Sequence, residues 1–159
     1  MIDRDLLLTM PVDEFCRCCT VSLFKASGPG GQHRNKTFSA VRLQLNGSAL
    51  SAEDCTERSQ LRNKSNAVKK LKMKLALSVR VLPSLPPERI ECSLTADDYP
   101  LFAARLFDLL WEHDFDYRAV AAVCSISPSA LLKKIARDPL LVQEFSKQRA
   151  ERELPKLNL

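Results

Sequence analysis

Residues 27–36 read Ser-Gly-Pro-Gly-Gly-Gln-His-Arg-Asn-Lys, and three of the chain's four glycines, Gly28, Gly30 and Gly31, fall in this run. Glycine reaches backbone angles closed to other residues and lets a backbone approach another molecule closely. Pro29 fixes its own φ and restricts the residue before it. The amide of Gln32 comes next, with the cations Arg34 and Lys36 just behind it. An amide does not titrate, so Gln32 cannot take a proton as a general base does. It can orient a water, and its backbone N–H can stabilise a developing oxyanion. A Gly-Pro-Gly-Gly cluster alone is also an ordinary turn signal, so the residues downstream of it decide its meaning.

A second motif lies further along the chain. Phe38 to Leu45 alternates in part between apolar and polar residues, as a strand does. Glu57-Arg58-Ser59-Gln60, Asn63-Lys64, Ala67 and Leu71 then open a basic helix. Residues 58–80 hold Arg58, Arg62, Lys64, Lys69, Lys70, Lys72, Lys74 and Arg80 without one acid, while Leu61, Val68, Leu71 and Leu75 recur at helical spacing. A solvated helix face normally mixes signs, so an acid-free run reads as phosphate binding. The apolar stripe is expected to pack on a sheet.

Together these residues resemble the catalytic domain of class I peptide chain release factors. The likeness rests on the run through Gly30-Gly31-Gln32, then Asn35-Lys36 and Val41-Arg42. After a loop it continues with Arg58-Ser59-Gln60, Asn63-Lys64, Ala67 and Leu71. It covers roughly residues 12–80. The resemblance implies an α+β fold, a small mostly antiparallel sheet with one long helix packed across it and a projecting Gly-Gly-Gln loop. It implies entry into the ribosomal peptidyl-transferase centre and hydrolysis of the ester joining peptide to tRNA. Gly30, Gly31 and Gln32 would be catalytic. His33, Arg34, Lys36, Arg58, Arg62, Lys64, Lys69, Lys70, Lys72 and Lys74 would contact RNA. His33 is read as an RNA contact rather than a base, and Asn35 as an organiser of the loop through side-chain to backbone bonds. The implied partners are large-subunit ribosomal RNA and peptidyl-tRNA, with a glutamine methyltransferase a candidate to modify Gln32. No cofactor or metal is required.

The elements that must position this chemistry are legible in outline. A strand is expected over 14–25 and a second over 37–46. Asn46-Gly47 marks a turn, with a short third strand near 48–51. A helix is expected over 56–78. Pro83-Ser84-Leu85-Pro86-Pro87 breaks regularity before a further strand at 89–94. Thr95 with Asp98 forms a candidate capping box, and Leu101, Phe102, Leu106, Leu109 and Leu110 make an apolar helical stripe. A helix is expected over 116–124. Ser127 as N-cap and Pro128 start another to about 137, and Asp138-Pro139 a fourth to about 153. This divides the chain into a release-factor-like domain, 1–94, and a helical C-terminal subdomain, 95–159.

Charge respects that division. The 159 residues carry a net charge of +5. Residues 1–96 hold 15 Lys and Arg against 9 Asp and Glu, and the rest hold 9 against 10. A polyanionic partner therefore belongs with the first half. Arg118 to Arg137 has a helix-turn-helix rhythm, but the near-neutral region around it favours packing or docking over DNA, and no DNA partner is expected. Six cysteines, at 16, 18, 19, 55, 92 and 124, form no Cys-x-x-Cys pair and read as reduced thiols. The N-terminus is too polar for a signal peptide and no run reaches membrane-spanning length, so a cytoplasmic location is expected. No codon-reading segment is expected in the 159 residues, which implies codon-independent action. The tail is not the lysine- and arginine-rich one of truncated relatives that rescue stalled ribosomes. Two other readings stay open: a non-hydrolytic ribosome- or tRNA-binding module on the same scaffold, and a DNA-binding regulator using 118–137.

Overall fold

A computed structural model describes residues 3–25, 38–87 and 90–159. The chain divides into two compact units, Met1–Leu75 and Ala76–Leu159.

The first unit begins with two short helices, α1 (Arg4–Thr9) and α2 (Val12–Arg17). Asp3 caps α1 by accepting from the Leu6 N–H at 3.1 Å. Pro11 precedes α2, whose first turn holds Asp13 and Glu14, where acids complement the positive helix end. The expected strand over 14–25 is therefore corrected. Residues 14–17 belong to α2, which buries Phe15 and Cys16, and only Cys19–Phe24 forms strand β1.

Strands β2 (Ala40–Leu45) and β3 (Ser51–Asp54) complete a three-stranded antiparallel sheet in the order β1-β2-β3. The third strand starts later than the expected 48–51, because the turn takes up more chain. Gly47 sits at φ +73°, Ser48 N–H donates to Leu45 O, and Leu45 N–H donates to Leu50 O. Central β2 shows the alternation the sequence suggests: Val41, Leu43 and Leu45 are buried while Arg42 and Gln44 are exposed. Edge strand β1 is nearly all exposed after Cys19.

Helix α3 (Gln60–Ser78) buries Ala67, Val68, Leu71 and Leu75, each large side chain contributing roughly 1.5–3 kcal/mol. Leu61, expected in this stripe, is instead 75% exposed in the first turn. The buried row starts at Asn63, which is wholly inaccessible and lies four, eight and twelve residues before Ala67, Leu71 and Leu75.

The second unit holds α4 (Tyr99–Glu112), α5 (Tyr117–Val123), α6 (Pro128–Ala136) and α7 (Pro139–Glu151). Ser127 caps α6 through the Ala130 N–H, with Pro128 in the first turn, as the sequence predicts. Asp138 caps α7 through Leu140 N–H. The capping box at Thr95 is corrected: α4 starts after Asp98, which makes no side-chain cap bond, and Pro100 in the first turn sets the entry instead. No strand forms at residues 90–94. Of the expected stripe, Phe102, Leu106, Leu109 and Leu110 are buried and Leu101 is half-buried. Among the described residues, no single helix is long and apolar enough to cross a membrane.

Candidate functional site

Strands β1 and β2 pair from Cys19↔Leu45 to Phe24↔Ala40. The segment between them, residues 25–39, therefore leaves and re-enters the sheet at adjacent strand ends, with Gln32 at its midpoint in sequence. Gly30, Gly31, Gln32, His33, Arg34 and Lys36 lie outside the described residues, as does the projecting loop. What the structure does describe is the base that carries them. Lys25 Nζ stands 4.9 Å from the Phe38 ring centroid, a cation–π contact between the two ends of the segment. The Arg42 guanidinium lies 5.2 Å from the Phe24 ring and donates to Glu53 Oε2 at 2.8 Å, tying the last residue of β1 to β3 across β2.

Asn63 closes this base against the second motif. Its Nδ2 donates to Ser39 O at 2.7 Å and to Glu57 O at 2.9 Å, and its Oδ1 accepts from Glu57 N–H at 2.9 Å. Both amide donors and the amide oxygen are thus used, as a fully buried side chain requires. The returning stem of the glycine segment and the turn before α3 are held by one residue. Sequence reasoning quoted Asn63 as part of a motif but gave it no role. The signal was available: an asparagine on the same four-residue row as Ala67, Leu71 and Leu75 must face inward and find polar partners there.

The cations of the second motif separate into two groups. Lys70 Nζ donates to Asp54 Oδ2 at 2.7 Å and to Glu53 O at 3.2 Å, and Lys74 Nζ donates to Ser51 O at 2.7 Å. These two lysines fasten α3 to β3, covering an edge that would otherwise offer unpaired carbonyls. Lys72 turns the other way. It is 9% exposed, donates to Leu8 O at 3.0 Å and Met10 O at 2.5 Å, and lies 5.3 Å from the Phe15 ring. Its ammonium neutralises the carbonyl end of α1, and this burial departs from the expectation that it presents a charge to RNA. Lys64 is half-buried, 3.7 Å from Asp13. Arg58, Arg62 and Lys69 are exposed, and Arg62 approaches Glu57 only to 3.8 Å. Arg62 and Lys69, two turns apart, leave their charge to solvent on the outer side of α3.

Asp54 is the electrostatic anchor of this arrangement. Burial pushes its carboxyl upward, but hydrogen bonds from Lys70, from the hydroxyl and N–H of Thr56, and from Asn66 outweigh that and hold its pKa at about 2. Burial pushes the Cys16 thiol up, and takes Cys19 to about 11, so neither supplies a thiolate nucleophile near neutral pH. All six cysteines are free. Among the described residues no group of His, Cys, Asp and Glu is arranged to hold a metal ion.

The described part of the chain on either side of the glycine segment is thus a three-stranded antiparallel sheet with one basic helix fastened to it. Residues 17–84 match the RF-1 domain family model. Peptide chain release factor 2 of Staphylococcus aureus is 50% identical over 56 residues, which cover 35% of this chain and 15% of that protein. Peptide chain release factor 2 of Staphylococcus haemolyticus is 48% identical over a stretch of the same length and coverage. These matches support the class I release-factor catalytic-domain family for this part of the chain. No solved structure matches it.

Proposed function

We propose that the chain is a codon-independent peptidyl-tRNA hydrolase that acts on the ribosome, in release or rescue, through Gly30, Gly31 and Gln32. Gln32 orients a water against the ester carbonyl carbon. The C–O bond forms, the backbone N–H of the tip meets the oxyanion, and the bond to the terminal ribose oxygen of tRNA breaks. One proton of the water passes to that oxygen, the other is lost to solvent, and the peptide leaves as a carboxylate. Catalysis is positioning and electrostatic preorganisation, with ribosomal RNA and tRNA completing the site. The glycines let the backbone lie against RNA without a Cβ clash.

The observation that carries this reading is the Asn63 bridge. It joins the stem of the glycine segment to the basic motif, and both motifs lie within residues 17–84, which match the RF-1 domain. Arg58, Arg62 and Lys69 are the preferred phosphate contacts, since they are exposed and the ion pair given for Arg62, to Glu57, is long at 3.8 Å. The proposal also takes residues 1–94 as the catalytic part and 95–159 as a helical part that directs where the protein acts. Large-subunit RNA and peptidyl-tRNA are the partners, the location is cytoplasmic, and Gln32 is a candidate for methylation.

Peptide release from purified stalled ribosomes, with and without mRNA beyond the P site, is the test. Gln32→Ala should slow release while ribosome binding stays nearly intact. Gly31→Ala should be at least as damaging, since a Cβ opposes the backbone conformation expected there. Full release by both variants would overturn the assignment of catalysis to Gly31 and Gln32, and no release by the wild-type chain would return it to a non-hydrolytic binding module.

A further inference from the structure

We propose that α5, the turn at residues 124–127 and α6 form a helix-turn-helix surface that grips the phosphate backbone of double-helical RNA without reading its sequence. The proposal rests on the ribosomal reading above and goes beyond it, because the residues concerned lie outside the release-factor match at 17–84.

The geometry comes first. The axes of α5 and α6 bend through 104° across the turn, within the range of roughly 90–120° that defines a helix-turn-helix. The turn is fixed rather than loose. Ser125 takes φ +55°. Its N–H donates to Ala122 O at 3.1 Å, and Ile126 N–H donates to Ala121 O at 3.0 Å. Ser127 then caps α6. Val120, Ala121, Leu131 and Ile135 are buried to 0% exposure, which locks the angle from inside.

Charge supplies the partner. Residues 117–137 contain four cations, Arg118, Lys133, Lys134 and Arg137, and no acid. Lys134 is paired with Glu91. Ser129 and Lys133 on α6 and Arg137 at its C-cap fall four residues apart and all are exposed, as is Arg118 on α5. The neighbouring acids are already engaged. Asp116 accepts from Arg118 N–H and Ala119 N–H, and Asp138 accepts from Tyr99 Oη at 2.8 Å and from Leu140 N–H. The near-neutral total of the C-terminal half thus includes an acid-free stretch at residues 117–137, and the two acids that flank it, Asp116 and Asp138, serve as helix N-caps.

The side chains also say what kind of contact is made. Strong base discrimination uses bidentate Arg, Lys, Asn or Gln side chains placed near the start of the second helix. Here that first turn offers Ser127, Pro128 and Ser129, and α6 has no Asn or Gln. The long donors, Lys133 and Arg137, stand toward its other end. An A-form duplex has a major groove too deep and narrow for side chains to read, so cations meeting its phosphate ridges are the contact that fits.

The full-length chain can be tested by fluorescence anisotropy on a labelled RNA hairpin of about 16 base pairs, between 50 and 200 mM KCl. The variant combines Arg118→Gln, Lys133→Gln and Arg137→Gln. A control combines Lys147→Gln and Lys156→Gln, exposed cations elsewhere on the same unit. The variant should bind about tenfold more weakly, with a salt slope lower by roughly two to three, while the control and the melting temperature stay unchanged. Unchanged affinity in the folded variant overturns the proposal, and so does tighter wild-type binding to the DNA duplex of the same sequence. Release at saturating protein should survive in the variant. Loss of RNA-duplex binding therefore reads out this surface, and only the Gln32 variants read out the hydrolase assignment.

Discussion

Asn63 donates a 2.7 Å hydrogen bond to the carbonyl of Ser39, and so joins the two motifs of this chain at a single buried residue. Ser39 stands one residue before β2, on the stem that returns from the glycine segment. Asn63 lies in the first turn of α3. Helix α3 and the returning stem are thus coupled through a hydrogen bond between residues 24 positions apart in sequence.

Removing the Asn63 amide should show this twice. Asn63→Ala strands the Ser39 carbonyl and both backbone groups of Glu57, at a cost of about 2–4 kcal/mol. Urea unfolding measures it. Peptide release should fall further than the unfolded fraction explains, because the stem loses its register. A change below about 0.5 kcal/mol would mean that the stem is held by something else.

The lysines of α3 should divide by task. Lys72→Met leaves Leu8 O and Met10 O without their buried donor and should lower stability by about 1–3 kcal/mol. Where the variant is still folded, its ribosome affinity should be unaltered. Arg62→Gln with Lys69→Gln should do the reverse: no loss of stability, weaker ribosome binding and a flatter salt dependence. Melting curves and salt-titrated binding separate the two outcomes, and equal binding loss in both variants would contradict the division.

Asp54 makes an acid-dependent contribution. Its pKa is depressed from 3.8 to about 2, so its bonds to Lys70, Thr56 and Asn66 stabilise the fold above pH 3.8. That contribution, about 2 kcal/mol by linkage, is lost as pH falls through 3.8 toward 2. Asp54→Asn removes the titrating group. Its stability should fall less steeply across that window than the parent's, and parallel acid limbs in urea titrations from pH 5 to 2 would refute the assignment.

The C-terminal helices should be folded before any partner is met. Leu106, Phe107, Leu110, Leu131 and Ile135 are buried to 1% exposure or less. Amide exchange on the free protein should show protection over residues 101–111 and 129–136. Uniformly fast exchange there would make the segment a tail that orders only on binding.

The sequence by itself determined what depends on local chemistry. Val41, Leu43 and Leu45 alternate because a pleated strand alternates. Ser127-Pro128 and Asp138-Pro139 start helices because they supply a cap acceptor and a preset φ, and the two linked motifs resemble the release-factor family on their residues alone. Where several local signals competed, the tertiary structure decided. Residues 14–17 read as extended, yet Pro11, the acids after it and the burial of Phe15 made them a helix. Lys70, Lys72 and Lys74 looked alike to Lys69 in an acid-free run, since a sequence gives charge and period but not what lies opposite. Packing gave Lys70 a carboxylate, Lys72 two carbonyls of α1 and Lys74 one of β3, and it left Lys69 to solvent. Asn63 shows the same limit from the other side. Its row in the helix was legible in the sequence, but that its amide would reach Ser39 is a fact of distance, set only when the hairpin and α3 come together.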